Sequence, residues 1–331
     1  MKRRAFITLV GGTAASPLLW PVAARAQPRA MPVIGFLGSD SPALSREALR
    51  IFRQALSDTG FVENRNVAIE YRWAEGQNDR LPALAADLVR RRVNVIVVPA
   101  STPGALAAKR ATATIPIVIF TAGNPVALGL VTSLDRPGGN VTGATSLGGE
   151  LAPKRLELLH ELMPKATDMA LLINPTNPAL AASTSNAVQA AAPALGLKVQ
   201  IVGAGAERDF EPVFASLVQT RTSALVIAID SFFTGRREQL AALALSHRIP
   251  AIYQYRDFAA AGGVMSYGGS LAEGFGLVAL YTSRILKGEK PAELPIQQTT
   301  KVELIINIKT ATALDLKFPS SLLALADEVI E

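Results

Sequence analysis

The sequence predicts an α/β protein of two lobes, each an open parallel sheet flanked by helices, with a cleft between the lobes. From Pro32 onward, short apolar runs rich in β-branched residues alternate with longer amphipathic stretches, as in βα units around parallel sheets. One such unit occurs twice: Leu106 to Phe120 reads LAAKRATATIPIVIF and Leu240 to Gln254 reads LAALALSHRIPAIYQ, with Leu, Ala, Ala, Ile and Pro in register 134 residues apart. The chain, 331 residues long, also exceeds the ~250–300 residues at which a single core stops growing. An Ile-Pro corner is a good helix stop in its own right, so chance reuse is the competing account; the βα alternation on both sides favours like-built lobes.

Val33 to Leu37 reads as the first strand, ending in Gly38-Ser39-Asp40, and Arg46 to Asp58 as a helix with Leu49, Phe52 and Leu56 on one face. Val67 to Trp73 alternates as a strand, Arg80 to Arg91 is helical, and Val93 to Val98 is a β-branched run of the kind buried in parallel sheets. Ile117 to Phe120 follows, and Val141 to Ala144 closes the first set. A helix from Leu151 to Leu162 opens the second, whose strands are Met169 to Ile173, Val199 to Val202, Ala224 to Ile229, Ala251 to Tyr253 and Val264 to Tyr267. In such sheets ligands bind outside the carboxyl ends of the strands, and two of these edges facing across a hinge make a cleft that closes on a ligand.

Residues 1–26 read as a secretory signal peptide: Lys2, Arg3 and Arg4, an apolar stretch from Phe6 to Trp20, then Ala24-Arg25-Ala26 before Gln27. The apolar part is shorter than the about 20 residues a bilayer span needs. Arg3-Arg4 before Ala5-Phe6-Ile7 resembles a twin-arginine signal; an ordinary basic n-region is the other reading. Four of the cations behind the net charge of +6 (Lys2, Arg3, Arg4, Arg25) lie in this leader with no acid, which leaves +2 for the rest. A chain so near neutrality gives no electrostatic footprint for nucleic acid. With no cysteine there is no disulfide, thiol nucleophile or lipid-anchored cysteine. The expected product is a soluble periplasmic monomer without a lipid anchor.

Catalytic signatures are missing. The two histidines, His160 in a charged helix and His247 before the Ile249-Pro250 corner, read as surface or capping residues, and neither lies in an H-E-x-x-H pattern. The nucleophile elbow, the S-x-x-K pair and the P-loop are absent, and Gly203-Ala204-Gly205 lacks the third glycine of a dinucleotide fingerprint. No metal or cofactor is expected. A paired-carboxylate enzyme stays open as a rival, because Asp and Glu are too common to rule on.

The strand ends are more informative. Gly38-Ser39, Ser101-Thr102, Thr121 to Asn124 and Thr145-Ser146 end strands of the first half; Asn174 to Asn177, Asp230-Ser231, Tyr253 and Tyr267-Gly268-Gly269 end those of the second. Small hydroxyls and glycines ahead of helices suit capture of a carboxylate, Asp230 ends an apolar strand where it can meet an ammonium, and Phe36, Tyr253 and Tyr267 offer flat apolar walls. Each also has a plain reading: Ser, Thr, Asn and Asp at such junctions are ordinary helix caps, Asp230 for a helix from Gly235 among them, and the tyrosines are ordinary strand residues.

Several segments together carry a family resemblance: Ile34 to Gly38, Ile69 to Gly76, Arg80 to Ala85, Ile115 to Val118, Arg136 to Gly143, Lys154 to Leu159, Leu286 to Pro291 and Leu322 to Ile330. The chain resembles the TrpX-like substrate-binding proteins of ABC transporters. The resemblance implies a type I periplasmic-binding fold, three hinge crossings near Thr145, Gly268 and Pro295, and delivery of a small molecule, an amino acid of the aromatic or another class, to an inner-membrane permease. It implies lobes of residues 30–145 with about 269–295, and 146–268 with about 296–331. The ligand contacts it implies are Ser39, Ser101, Thr102, Asn124 and Ser146 from one lobe, and Asn174, Asp230 and Tyr253 from the other. Many relatives carry Asp where this chain has Asn124, a departure that bears on recognition of a ligand ammonium. A sensor docking on a receptor is the remaining alternative.

Overall fold

The computed structural model describes residues 31–331; the expected leader lies outside the described residues. Two sheets organise the chain. The first comprises β1 (Val33–Gly38), β2 (Ala68–Trp73), β3 (Val95–Val98), β4 (Ile117–Thr121), β5 (Val141–Thr145) and, from far along the chain, β11 (Gln297–Gln298). Its order is β11-β5-β4-β3-β1-β2 and every pairing is parallel. The second comprises β6 (Asp168–Ile173), β7 (Lys198–Gly203), β8 (Ala224–Ile227), β9 (Ala251–Tyr253), β10 (Met265–Gly269), β12 (Val302–Asn307) and β13 (Glu328–Ile330), in the order β13-β12-β10-β9-β8-β6-β7. Five of its strands are mutually parallel; β12 pairs with β10 antiparallel and β13 follows β12. β3, β4 and β8 are buried along their whole length because helices cover both faces, so they read as unbroken apolar runs. Two apolar clusters lie on each sheet, one per face.

The repeated unit occupies the same place twice. Helix Thr102–Ala111 leads into β4 and helix Arg237–Ser246 into β9, and each strand is fourth from the β2 or β7 edge. Even the prolines match: the Pro116 carbonyl accepts from Ile96 N–H at 2.8 Å and the Pro250 carbonyl from Leu225 N–H at 2.9 Å, each on the preceding strand of its sheet.

The chain crosses from the first sheet to the second after Thr145, returns after Gly269 and crosses again after Gln298. Between the last two crossings, helix Leu271–Leu286 packs on the first sheet, with Gly274 so close to Phe120 that an added Cβ would lie 2.3 Å from its ring. Arg155, on helix Ala152–Leu162, is fully buried and ties two crossings together: it donates to the Gly148 and Tyr267 carbonyls, both at 2.8 Å. It has no carboxylate partner among the described residues, and burial pushes its guanidinium down to about 10.

Candidate functional site: an aromatic cavity between the lobes

The carboxyl ends of β1, β2, β3 and β8 converge on a cavity of about 90 Å³. From the first lobe come Phe36, Ser39, Asp40, Ile51, Trp73, Ala100 and Phe275; from the second come Ser231, Thr234 and Gly235. A smaller recess of about 20 Å³ shares Ala100, Ser231, Thr234 and Leu271 with it and adds Thr102, Phe120, Asn177, Ile229, Asp230 and Tyr255. The aromatic wall is packed from behind: Phe36 lies 5.3 Å from Trp73 and 5.7 Å from Phe52, and Trp73 stacks on Tyr71 at 6.0 Å. Gly38, in register with Trp73, makes this possible, since a Cβ there would stand 2.3 Å from the indole.

The polar end is built around Asp230. It N-caps helix Ser231–Gly235, not one starting at Gly235, by accepting the Phe232 N–H at 2.9 Å. Asn174 and Asn177 donate to its two oxygens at 2.9 and 2.7 Å. All three donors are neutral and no cation among the described residues reaches it, so burial pushes its carboxyl up despite the three bonds. Across the recess, Thr102 shares a hydrogen bond with Thr121 at 2.8 Å, and Ser39 shares one with Ser101, which caps helix Thr102–Ala111 through the Gly104 N–H at 3.0 Å.

Residues 33–330 match the ABC transporter substrate binding protein family. The chain belongs to that family. It is similar to the tyrosine-binding protein of Clostridioides difficile (strain R20291), 27% identical over 84% of this chain and 79% of the relative. In fold it is similar to an ABC domain in complex with L-Trp from Streptococcus pneumonia, with a TM-score of 0.78, 23% identity and coverage of 90% of this chain and 99% of the other. The ligand-free, open structure of a substrate-binding protein with adhesive properties from Clostridium difficile covers the same shares at 24% identity, with a TM-score of 0.59.

As a member of this family the chain is a solute-binding protein, not an enzyme, and it serves an ABC transporter. No helix among the described residues is long and apolar enough to cross a membrane. Of the eight residues implied by the resemblance, Ser39, Thr102 and Asp230 line the cavity or its recess. Ser101, Asn174 and Ser146 stand one layer behind: Ser101 bonds Ser39, Asn174 donates to Asp230, and Ser146 accepts the Gly148 N–H at 3.3 Å. Tyr253 is elsewhere. It pairs with Ser266 inside the sheet, its ring is fully buried in the second lobe 4.8 Å from Phe258, and its hydroxyl has no partner among the described residues. Tyr255, two residues on and past the strand end, takes the wall position instead. Asn124 is also elsewhere: its Oδ1 accepts the Val126 and Ala127 N–H groups at 3.0 and 3.3 Å, closing a turn. Asp fills that role equally well, so the Asn124 departure does not alter the cavity wall. Asp40 and Trp73 were not among the contacts expected from sequence, and Asn177 entered only within the strand-end run Asn174 to Asn177; Phe36 was expected as an apolar wall and lines the cavity.

Proposed function

We propose that this protein captures a free aromatic α-amino acid, of the tyrosine and tryptophan class, between its lobes and hands it to an ABC permease in the inner membrane. One observation carries the reading: Asp230 is a buried carboxylate that faces the cavity and is held only by neutral donors. A buried charge in that state favours a cationic partner, and a ligand ammonium supplies one. The Ser39 and Thr102 hydroxyls, beside the N-terminus of helix Thr102–Ala111, supply donors for the ligand carboxylate. Phe36, Trp73 and Phe275 supply a flat apolar wall for its ring. The tyrosine and L-Trp named for two similar proteins point the same way.

In this reading residues 1–26 direct export, by the twin-arginine or the general route, to the periplasm, where the mature chain acts as a monomer without a lipid anchor. The lobes are residues 31–145 with 270–298, and 146–269 with 299–331. The test is calorimetric titration of residues 27–331 with L-tyrosine, L-tryptophan, L-phenylalanine and 3-(4-hydroxyphenyl)propionate, which lacks the ammonium. The amino acids are expected to bind, and the propionate at least about 100-fold more weakly, because it leaves Asp230 buried and unpaired. Equal binding of the propionate, or no binding of any of the three amino acids, overturns the reading.

A further inference from the structure

One contact in the cavity wall does more than face a ligand. Asp40, just past β1, crosses the cleft to Arg236 at the end of helix Ser231–Gly235, with Nη1 2.9 Å from Oδ1 and both side chains under a tenth exposed. The second lobe holds the guanidinium in place: Nε donates to Glu207 at 2.8 Å, Nη1 donates also to the Phe232 carbonyl at 3.1 Å, and the group lies 4.1 Å above the Phe232 ring centre. Arg236 is the one cation that Asp40 meets among the described residues; the other charges near it, Asp230 and Glu207, are acidic. The second Asp40 oxygen rests on Gly235, where an added Cβ would stand 2.9 Å away. Gly235 has no positive φ, so its missing side chain makes room for the carboxylate and not for a backbone turn.

We infer that Asp40 and Arg236 form a charge gate on lobe closure: bringing the lobes together seats the Asp40 carboxylate over Gly235 against Arg236, and the ionised carboxylate cannot take that seat without the guanidinium. The physics is that of a buried ion pair. Removing Arg236 strands the Asp40 carboxylate away from water, whereas neutralising Asp40 leaves Arg236 on Glu207, and removing both charges leaves two neutral groups that pack with little penalty. Burial raises the Asp40 carboxyl to about 6 even with Arg236 beside it, so the pair does not drive closure by attraction; it makes closure conditional on the match.

The test uses the absence of cysteine from the chain. Asn78 on the first lobe donates to the Thr176 hydroxyl on the second at 3.0 Å, so the thiols of an Asn78→Cys, Thr176→Cys pair come near each other when the lobes meet, and a short bifunctional maleimide links them. The rate of linking is read at neutral pH with no ligand added, so the outcome does not depend on the amino-acid reading. Adding Arg236→Gln is expected to slow the reaction about tenfold or more, and adding Asp40→Asn as well is expected to restore it to within about threefold. Gly235→Ala, which changes no charge, is expected to slow it too. Small-angle scattering of the cysteine-free chains gives a second readout: Arg236→Gln should be more expanded than the double variant. An Arg236→Gln chain that closes like the parent overturns the gate. So does a double variant that stays as slow as Arg236→Gln alone, because Arg236 then acts through Glu207 and Phe232 instead.

Discussion

Asp230 lines the smaller recess and Asp40 the adjoining cavity, and they differ in what meets them: three neutral donors for the first, a guanidinium for the second. Asp230→Asn is therefore expected to lower affinity for L-tyrosine or L-tryptophan by about 100-fold or more in calorimetry, because the ammonium loses its charged partner. The unliganded Tm of that variant should fall, since the amide keeps one acceptor oxygen and turns an NH2 toward Asn174 or Asn177, which leaves a buried donor unpaired. Asp230 was legible in the sequence because a lone acid ending the run ALVIAI stands out. Tyr253 misled for the opposite reason: residue type does not say whether a tyrosine lies within a strand or two positions past its end. The Asp40–Arg236 pair was invisible, as its partners are 196 residues apart and only the meeting of the lobes joins them.

The strands of the two sheets approach each other closely at glycines. Gly143 on β5 has φ +132° and an added Cβ would stand 2.1 Å from the Ile119 carbonyl oxygen; at Gly268 on β10 the Gln254 oxygen would be 1.9 Å away. Gly143→Ala should cost more than about 2 kcal/mol in urea unfolding, from strained backbone and overlap together. Gly276→Ala is the contrast: it lies within helix Leu271–Leu286 with nothing inside 4 Å of the new methyl, and should stabilise by about 0.4–1 kcal/mol. The parallel strands were readable because full burial turns them into apolar runs, and the repeated Ile-Pro unit exposed the kinship of β4 and β9. β11, two exposed glutamines, and the three-residue β13 carry no such pattern, because distant partners define them as strands; β12 does carry one in Leu304-Ile305-Ile306, which the expected set of strands leaves out.

For the molecule as a whole, closure carries a proton linkage. Open to water, the Asp40 carboxyl has the ordinary affinity of a carboxylate for its proton; in the closed cleft burial raises it to about 6. The closed form thus holds the proton more tightly, so falling pH through about 6 favours closure and rising pH through the same value removes that contribution. Scattering of the ligand-free chain should show compaction below about pH 6, and Asp40→Asn should flatten the profile. The cavity wall also decides how filling of the cleft can be watched. The chain has two tryptophans, Trp20 in the expected leader and Trp73, so the product beginning at Gln27 emits from one indole alone. That indole lines the cavity, and its emission is expected to move to shorter wavelength if L-tyrosine binds there and displaces water beside it. The protein then carries its own optical gauge of occupancy, and the signal should vanish in Trp73→Phe.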